Sequence, residues 1–156
     1  MHRRPDLLSV IVRTKNRPAL LQQALQSITQ QTYRPIEIVL INDGGDPIDE
    51  IARVVVSDDL TLCLHDNPTS RGRTASANQG LNLASGRFSI FLDDDDYFDP
   101  EHLANLAAAY HDTAPQDGQL YAVYSGARAV HISADNQEHT LSQCGEPFSL
   151  QRLRYG

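Results

Sequence analysis

The sequence predicts an α/β fold, with a mostly parallel sheet covered by helices on both faces. Short apolar runs alternate four times with segments whose apolar residues recur at helical spacing. The runs are nearly continuous, which is typical of strands buried on both faces. Because consecutive strand, helix and strand patterns at short spacing form right-handed parallel units, we expect one two-sided sheet.

Length and charge restrict the classes of protein that this sequence fits. The 156 residues suffice to bury the core of one domain, and we expect a single domain over residues 1–156. Acidic residues outnumber basic residues by 20 to 13, and the formal net charge is −7. This balance disfavours nucleic acid and anionic lipid as partners, so an anionic ligand requires a local binding device.

Cysteine usage and hydropathy narrow the classes further. Cys63 and Cys144 lie far apart without a CxxC spacing, which indicates neither a zinc site nor a disulfide framework. There is no run of about 18 apolar residues, and the start from Met1 to Asp6 lacks the apolar region of a secretion signal. We therefore expect a cytoplasmic protein without an integral membrane segment.

The first two predicted strands are separated by an amphipathic helix. Leu7 to Val12 predicts the first strand, and Arg13 to Arg17 form the loop after it. Pro18 suits the first turn of the helix that follows. Its predicted buried face is Leu21, Ala24, Leu25 and Ile28. Ile36 to Ile41 predicts the second strand, which ends in the turn residues Asn42 to Gly45.

Two further helices flank the third predicted strand. Asp46 and Pro47 open the second helix, and Leu60 to His65 predicts the third strand. The buried residues predicted for the second helix are Ile48, Ile51, Ala52 and Val55. A polar loop from Asp66 to Arg73 leads to a third helix over Thr74 to Ser85. Its predicted apolar face is Ala77, Leu81 and Ala84.

The last predicted elements are a fourth strand, a fourth helix and a strand-like region. Gly86 ends the third helix, and Phe88 to Leu92 predicts the fourth strand. Asp99 begins the fourth helix, whose predicted buried face is Leu103, Leu106, Ala107 and Tyr110. Gln119 to Ile132 is strand-like, and no firm structure is assigned from Ser133 onward.

Ligands of parallel sheets bind at the carboxyl ends of the strands. That rule selects four loops as the candidate site: Arg13 to Arg17, Asn42 to Gly45, Asp66 to Arg73, and Asp93 to Asp96.

The acidic loop is the strongest of the four candidates. Its carboxylates repel one another, and a divalent cation with a preference for oxygen ligands, Mn²⁺ or Mg²⁺, compensates that charge. In an extended strand Asp93 and Asp95 face one way, while Asp94 and Asp96 face the other, although a turn would break this alternation. The alternative is a solvated loop that caps the helix after Pro100. The position at a strand end favours the metal or ligand role.

The other loops offer partners for a nucleotide. The carboxylate of Asp43 can accept a hydrogen bond from the imide N–H of uracil or a similar base, and Gly44 permits close backbone approach, although a plain turn would look the same. Arg71 and Arg73 can contact a base or a diphosphate, with a solvated surface position favoured for Arg71. Asn78 is either a buried residue that fixes the loop or an exposed one.

Four stretches in this order resemble the inverting family 2 glycosyltransferases of the GT-A fold. They are SVIVRTKNRPALLQQALQSITQQTY, IEIVLINDGG, the N-x-x-x-x-G, A-N-Q-G and A-S-G-R elements from Asn67 to Arg87, and FLDDDDYFDP. The resemblance extends from Leu7 to Tyr110, about two thirds of the chain. It implies a Rossmann-like GT-A fold for nucleotide-diphospho-sugar transfer.

The resemblance also implies a set of donor-binding residues. These are Thr14, Asn16, Arg17, Asp43, Gly44, Arg73, Asn78, Asp93 and Asp94. Thr14, Asn16 and Asp43 are expected to cradle the nucleobase, usually uracil. Arg73 is expected near the base or the diphosphate, and Asp93 near the ribose.

For the cation, the resemblance implies Asp95 as a ligand, with Asp94 and Asp93 beside it. Mn²⁺ or Mg²⁺ bound there would bridge the two phosphates and stabilise the departing nucleoside diphosphate. The implied activity is metal-dependent, inverting transfer of a sugar from a UDP-sugar to an unknown acceptor, with a role in cell-envelope polysaccharide.

Three features depart from the family pattern. Arg13 stands where the family usually has proline, and Ala77 where it often has arginine. The family's general base is a carboxylate well beyond the aspartates; Glu138 and Glu146 lack its sequence context, so no base is assigned. We therefore expect a donor-binding part that lacks the C-terminal acceptor part.

Two alternatives remain beside a transferase. A nucleotidyltransferase also binds a nucleotide through metal and carboxylates, but its glycine-rich basic signature is missing from the first loop, which carries Thr14, Lys15 and Asn16. A module that only binds a nucleotide sugar stays open because no base is visible. A dinucleotide-dependent oxidoreductase is disfavoured because no GxGxxG follows the first strand.

Overall fold

The structure, a computed structural model, describes residues 4–53, 55, 57–113, 122–133, 135 and 137–145. The strands in this part of the chain are β1 (Arg4–Thr14), β2 (Ile36–Asn42), β3 (Leu60–Asp66), β4 (Gly86–Asp93), β5 (Ala127–Ile132) and β6 (Glu138–Cys144). The helices are α1 (Pro18–Thr29), α2 (Asp49–Arg53), α3 (Arg73–Leu83) and α4 (His102–Thr113). No helix among the described residues is long and apolar enough to cross a membrane.

The chain divides into two compact units between Asn105 and Leu106. The first contains β1 to β4, α1 to α3 and the start of α4, and the second contains the β5–β6 pair. The single domain expected over residues 1–156 stays a prediction.

The first unit is built on a parallel sheet of strand order β3-β2-β1-β4. Val10 of β1 pairs with Ile38 of β2 and with Ile90 of β4, and Ile38 pairs with Leu62 of β3. The chain moves outward from β1 to β3 and then returns to the other side of β1 for β4. This reversal of strand order is the place where doubly wound sheets bind ligands, between the carboxyl ends of β1 and β4.

Both faces of the sheet are covered, as the sequence predicted. On one face, the buried residues are Val10, Val12, Ile38, Leu40, Leu21, Leu25, Ile28 and Leu103, contributed by β1, β2, α1 and α4. On the other, Ile11, Val39 and Ile41 form a smaller cluster with Ala84. Consecutive strand residues alternate between the faces, so a strand covered on both sides is apolar throughout.

Of the apolar face predicted for the third helix, only Ala84, the C-cap of α3, is buried against the sheet. Ser76 and Gly80 are buried, whereas Leu81 is 39 % exposed and Ala77 is only partly buried. A Cβ atom on Gly80 would lie 2.4 Å from Cγ2 of Ile11, so the helix axis approaches the sheet more closely than larger side chains permit. The small residues Ser76 and Gly80 therefore form the contact within the helix, which the apolar pattern did not predict.

Gln31 attaches the segment after β4 to the end of α1. Its buried side chain donates from Nε2 to the carbonyl oxygens of Ser27 and Asp99, at 3.0 and 2.8 Å, and accepts from the Leu103 N–H at 3.0 Å. The Phe98 N–H donates to the Ser27 hydroxyl at 3.1 Å. These bonds fix the chain that follows the four aspartates.

The second unit contains an antiparallel pair, β5 and β6. The strand-like region predicted over Gln119 to Ile132 corresponds to β5 in its last six residues, while its start lies outside the described residues. The sequence did not predict β6, because all seven of its residues are exposed and it has no apolar alternation.

Candidate nucleotide and metal site

The predicted loops meet at the carboxyl edge of the first unit's sheet. Strand register sets Thr14 beside Asn42, and Arg13 beside Asp93. Hydrogen bonds join the first loop to the fourth, the second to the third, and the third to the fourth, so the placement expected from the strand order is observed. A cavity of about 300 Å³ lies instead at the amino ends of the strands, between residues such as Arg34 and Asp59 that carry no predicted role.

Asp93, Asp95 and Asp96 form the candidate metal centre. One carboxylate oxygen from each lies within 4.8 Å of the others. Burial, and then the negative charges of Asp95 and Asp93, raise the pKa of Asp96 above its ordinary value. Three hard oxygen donors at this spacing fit Mn²⁺ or Mg²⁺.

A turn explains why Asp96, and not Asp94, belongs to this group. The Asp96 N–H donates to the Asp93 carbonyl oxygen at 3.1 Å, which closes a turn through Asp94 and Asp95. The alternation of an extended strand therefore stops at Asp93, and Asp96 returns to the side of Asp93 and Asp95.

Asp94, predicted as a metal and nucleotide ligand, is not part of the carboxylate group, and its ligand role stays a prediction. The residue is 5 % exposed, and its Oδ2 accepts a hydrogen bond of 2.7 Å from the Thr14 hydroxyl. Its Oδ1 accepts from Nη1 of Arg17 at 3.3 Å. Both oxygens point to the first loop, so Asp94 joins β1 to β4 and lies outside the carboxylate group. The Thr14 hydroxyl, which was predicted to contact the base, is buried and donates its hydrogen bond to Asp94.

Asp93 lies between two arginines. Its Oδ1 accepts from Nη2 of Arg13 at 2.7 Å, and its Oδ2 accepts from Nη2 of Arg73 at 3.3 Å. The Arg13 side chain is 21 % exposed and the Arg73 side chain 78 %. Arg13, which stands where the family usually has proline, thus supplies a cross-strand ion pair to the first aspartate. Arg73 lies beside the cluster, near the expected diphosphate.

Asn16 connects the first loop to the second. Its backbone has a φ of 55°, a left-handed conformation that asparagine adopts more readily than most residues. Its Oδ1 accepts a hydrogen bond of 2.7 Å from the Asp46 N–H. A Cβ atom on Gly45 would lie 2.7 Å from the same oxygen, so only glycine fits between the two loops. Its predicted contact with the base stays a prediction.

Asp43 organises the loop between β3 and α3. Five groups of the chain donate to its carboxylate, at 2.7 to 3.1 Å: the side chains of Asn67, Ser70 and Ser76 and the N–H groups of Arg71 and Gly72. Burial alone raises the pKa of such a carboxylate, but the hydrogen bonds outweigh it, and the pKa of Asp43 lies well below its usual range. Its contact with a base stays a prediction, and the loop-fixing function was not predicted.

Gly44 and Asn78 complete the predicted set. Gly44 has a φ of 71°, and a Cβ atom there would lie 2.4 Å from the Ser70 backbone nitrogen, so the second and third loops touch through bare backbone. Asn78 is exposed on α3, which favours the second of its two interpretations.

Neither acid considered as a general base belongs to the described part of the first unit. Glu138 lies exposed in β6 of the second unit, where Arg128 is 4.0 Å away, and Glu146 is outside the described residues. The general base stays unassigned.

The fold and this edge define a class of protein. A parallel α/β sheet whose reversal point carries clustered aspartates, beside arginines and a glycine-containing loop, belongs with the nucleotide-binding α/β proteins. A family model described as Glycosyl transferase family 2 matches residues 9–144. The chain therefore belongs to glycosyl transferase family 2.

Curated proteins with similar sequences include named glycosyltransferases. The chain is 39 % identical over 92 residues to the GalNAc(5)-diNAcBac-PP-undecaprenol beta-1,3-glucosyltransferase of Campylobacter jejuni, covering 57 % of this chain and 29 % of that one. It spans 37 % of the length of two other curated relatives.

Solved structures agree with the fold. S. aureus TarS 1-349 in complex with UDP-GlcNAc is 28 % identical with a TM-score of 0.61, over 67 % of this chain and 31 % of that one. Mannosyltransferase PcManGT from Pyrobaculum calidifontis, in complex with GDP-Man and Mn²⁺, is 27 % identical with a TM-score of 0.61, over 70 % and 33 %. The GT-A fold predicted from the sequence is confirmed.

Proposed function

We propose that this chain is the donor-binding part of an inverting glycosyltransferase that takes a sugar from a UDP-sugar, with Mn²⁺ or Mg²⁺ as cofactor. The observation that carries the proposal is the group of three carboxylates at the end of β4, with oxygens within 4.8 Å of one another. It lies at the reversal point of the sheet, where nucleotides bind in this class of fold.

The names of the similar structures support the choice of ligands. TarS was solved with UDP-GlcNAc, and PcManGT with GDP-Man and Mn²⁺. The carboxylate donors of Asp93, Asp95 and Asp96 suit a cation of that kind. We take UDP as the nucleotide because the family resemblance implies uracil beside the first and second loops, and because TarS was solved with UDP-GlcNAc.

The chain's own residues would orient the donor. Arg13 holds Asp93 in place from the neighbouring strand, and Asp43 fixes the loop that leads to Arg73. Arg73 then lies with its guanidinium at the cluster, available to a diphosphate oxygen. The bound cation supplies neutralisation of the charge that develops on the departing nucleoside diphosphate.

The location and the acceptor class follow the same proposal. The Campylobacter relative is named for an undecaprenol-diphosphate-linked acceptor. That name supports a function in cell-envelope polysaccharide assembly, at the cytoplasmic side where nucleotide sugars are consumed. We further propose that residues 1–156 form a single donor-binding domain.

Calorimetry with four nucleoside diphosphates tests the proposal. UDP, GDP, CDP and TDP are titrated into the chain with and without Mn²⁺. We expect UDP to bind best, and Mn²⁺ to tighten its binding by about tenfold or more, which corresponds to about 1.4 kcal/mol. Equal and weak binding of all four, unchanged by Mn²⁺, would show that the edge is not a donor site.

A further inference from the structure

Arg17 links the carboxylate group of Asp93, Asp95 and Asp96 to the buried hydrogen bond between Thr14 and Asp94. A single nitrogen, Nη1, lies 3.0 Å from Oδ2 of Asp95 and 3.3 Å from Oδ1 of Asp94. Asp94 is held by the Thr14 hydroxyl at 2.7 Å and cannot follow the arginine. Asp95 belongs to the candidate metal centre. Arg17 therefore forms ion pairs with two carboxylates: Asp94, which is fixed in place, and Asp95, which is proposed to bind the cation.

Two of the ion pairs in the cluster, Arg17–Asp95 and Arg13–Asp93, differ in strength. Arg17 and Asp95 are 51 and 52 % exposed, and ion pairs between such exposed groups contribute little free energy. Arg13 and Asp93 are 21 and 38 % exposed and lie 2.7 Å apart, so solvent screens them less. The Arg17–Asp95 pair thus opens more easily than the Arg13–Asp93 pair, while Asp94 keeps the Arg17 guanidinium nearby.

We propose that Arg17 is a positioning residue that makes binding of the cation and of the diphosphate depend on each other. This inference rests on the proposed function. Arg17 competes with a divalent cation for Asp95, which weakens binding of the cation alone. A diphosphate offers the guanidinium better partners, because its planar N–H donors match phosphate oxygens. When Arg17 turns to the diphosphate, Asp95 is released to the cation.

The coupling is reciprocal by thermodynamic linkage. If UDP strengthens Mn²⁺ binding by some factor, Mn²⁺ strengthens UDP binding by the same factor. Part of any such factor comes from direct contact between cation and phosphate, and that part does not need Arg17. The remainder disappears when the arginine is removed.

The test measures Mn²⁺ and UDP affinities for the full 156-residue chain by calorimetry, each ligand alone and in the presence of the other. For Arg17→Ala we expect Mn²⁺ alone to bind about twofold to fivefold more tightly, the range that the loss of an exposed ion pair gives. The coupling factor should fall by the same ratio. A gain in cation affinity is a result that a misfolded variant does not produce.

Two further variants make the test specific. Lys15→Ala removes the same charge from an exposed position in the same loop, and we expect it to leave Mn²⁺ affinity within about 1.5-fold of the wild type. Arg17→Lys keeps the charge, so it should bind Mn²⁺ in the absence of UDP as weakly as the wild type does.

The inference is overturned if Arg17→Ala leaves Mn²⁺ affinity unchanged or lowers it, or if Lys15→Ala raises it equally, since the effect would then be general charge. Either result, with metal-dependent UDP binding intact in the wild type, leaves the proposed function standing. Absence of UDP binding in the wild type would contradict the proposed function itself.

Discussion

Replacing Asp43 by asparagine is expected to lower the free energy of unfolding by about 3 kcal/mol or more. The carboxylate accepts five hydrogen bonds in a buried position. An asparagine there turns one acceptor into an N–H₂ group that faces donors, and each buried unsatisfied group costs about 1–3 kcal/mol. Thermal unfolding followed by circular dichroism measures the change, expected as a fall of about 10 °C in Tm.

Asp46→Asn is the matched control, because it makes the same chemical change at an exposed position three residues away. It should change the unfolding free energy by less than about 0.5 kcal/mol. Equal effects of the two variants would mean that the hydrogen bonds to Asp43 contribute nothing particular to stability.

The stability difference between the wild type and Asp43→Asn should also depend on pH. Because the pKa of Asp43 is held below its ordinary value, its ionised form stabilises the fold fully above the unfolded value of about 3.9. This stabilisation is lost as pH falls from there towards the folded pKa. The difference in stability between wild type and Asp43→Asn should therefore be constant above about pH 5 and shrink below about pH 4. A difference that grows on acidification would contradict the assignment.

Replacing Asp95 by asparagine is expected to abolish the metal dependence of UDP binding. The substitution removes a charged oxygen ligand from the group of three while keeping the shape of the side chain. With Mn²⁺ present, UDP affinity should fall to the value measured without metal. In a chain that transfers sugar, the rate should fall by about 10²-fold or more, since stabilisation of developing charge is worth several kcal/mol.

Comparing Asp94→Asn with Asp95→Asn distinguishes the buried structural aspartate from an aspartate that is proposed to bind the cation. Asp94 is buried and bound to Thr14, so its substitution should lower the melting temperature and preserve the metal dependence. Asp95 is half exposed, so its substitution should leave the melting temperature nearly unchanged. The reverse pattern, with Asp94→Asn abolishing the metal effect, would restore Asp94 as the ligand in place of Asp96.

The sheet and the location of the site follow from the sequence for a simple reason. Strands covered on both faces are apolar throughout, so runs such as Leu7 to Val12 and Ile36 to Ile41 indicate that strands exist there, although β1 extends beyond its run at both ends. In a parallel sheet every strand end lies at the same edge. The four loops that meet at this edge were therefore identified without knowing any side-chain contact.

The contacts that each side chain makes at that edge could not be predicted from the sequence. Asp96, rather than Asp94, lies beside Asp93 and Asp95 because one backbone hydrogen bond closes a turn after Asp93. The five donors to Asp43 come from residues 24 to 33 positions later, and strand periodicity contains no information about such contacts. Helix α3 packs through Ser76 and Gly80, where close approach outweighs hydrophobicity.

A crystal structure of the chain with UDP and Mn²⁺, with diffraction data at the manganese absorption edge, is the most direct test of the donor site. An anomalous peak is expected within about 2.0–2.4 Å of carboxylate oxygens from Asp93, Asp95 or Asp96 and of the UDP diphosphate. UDP bound elsewhere, or nucleotide at this edge with no manganese beside the aspartates, would contradict the account.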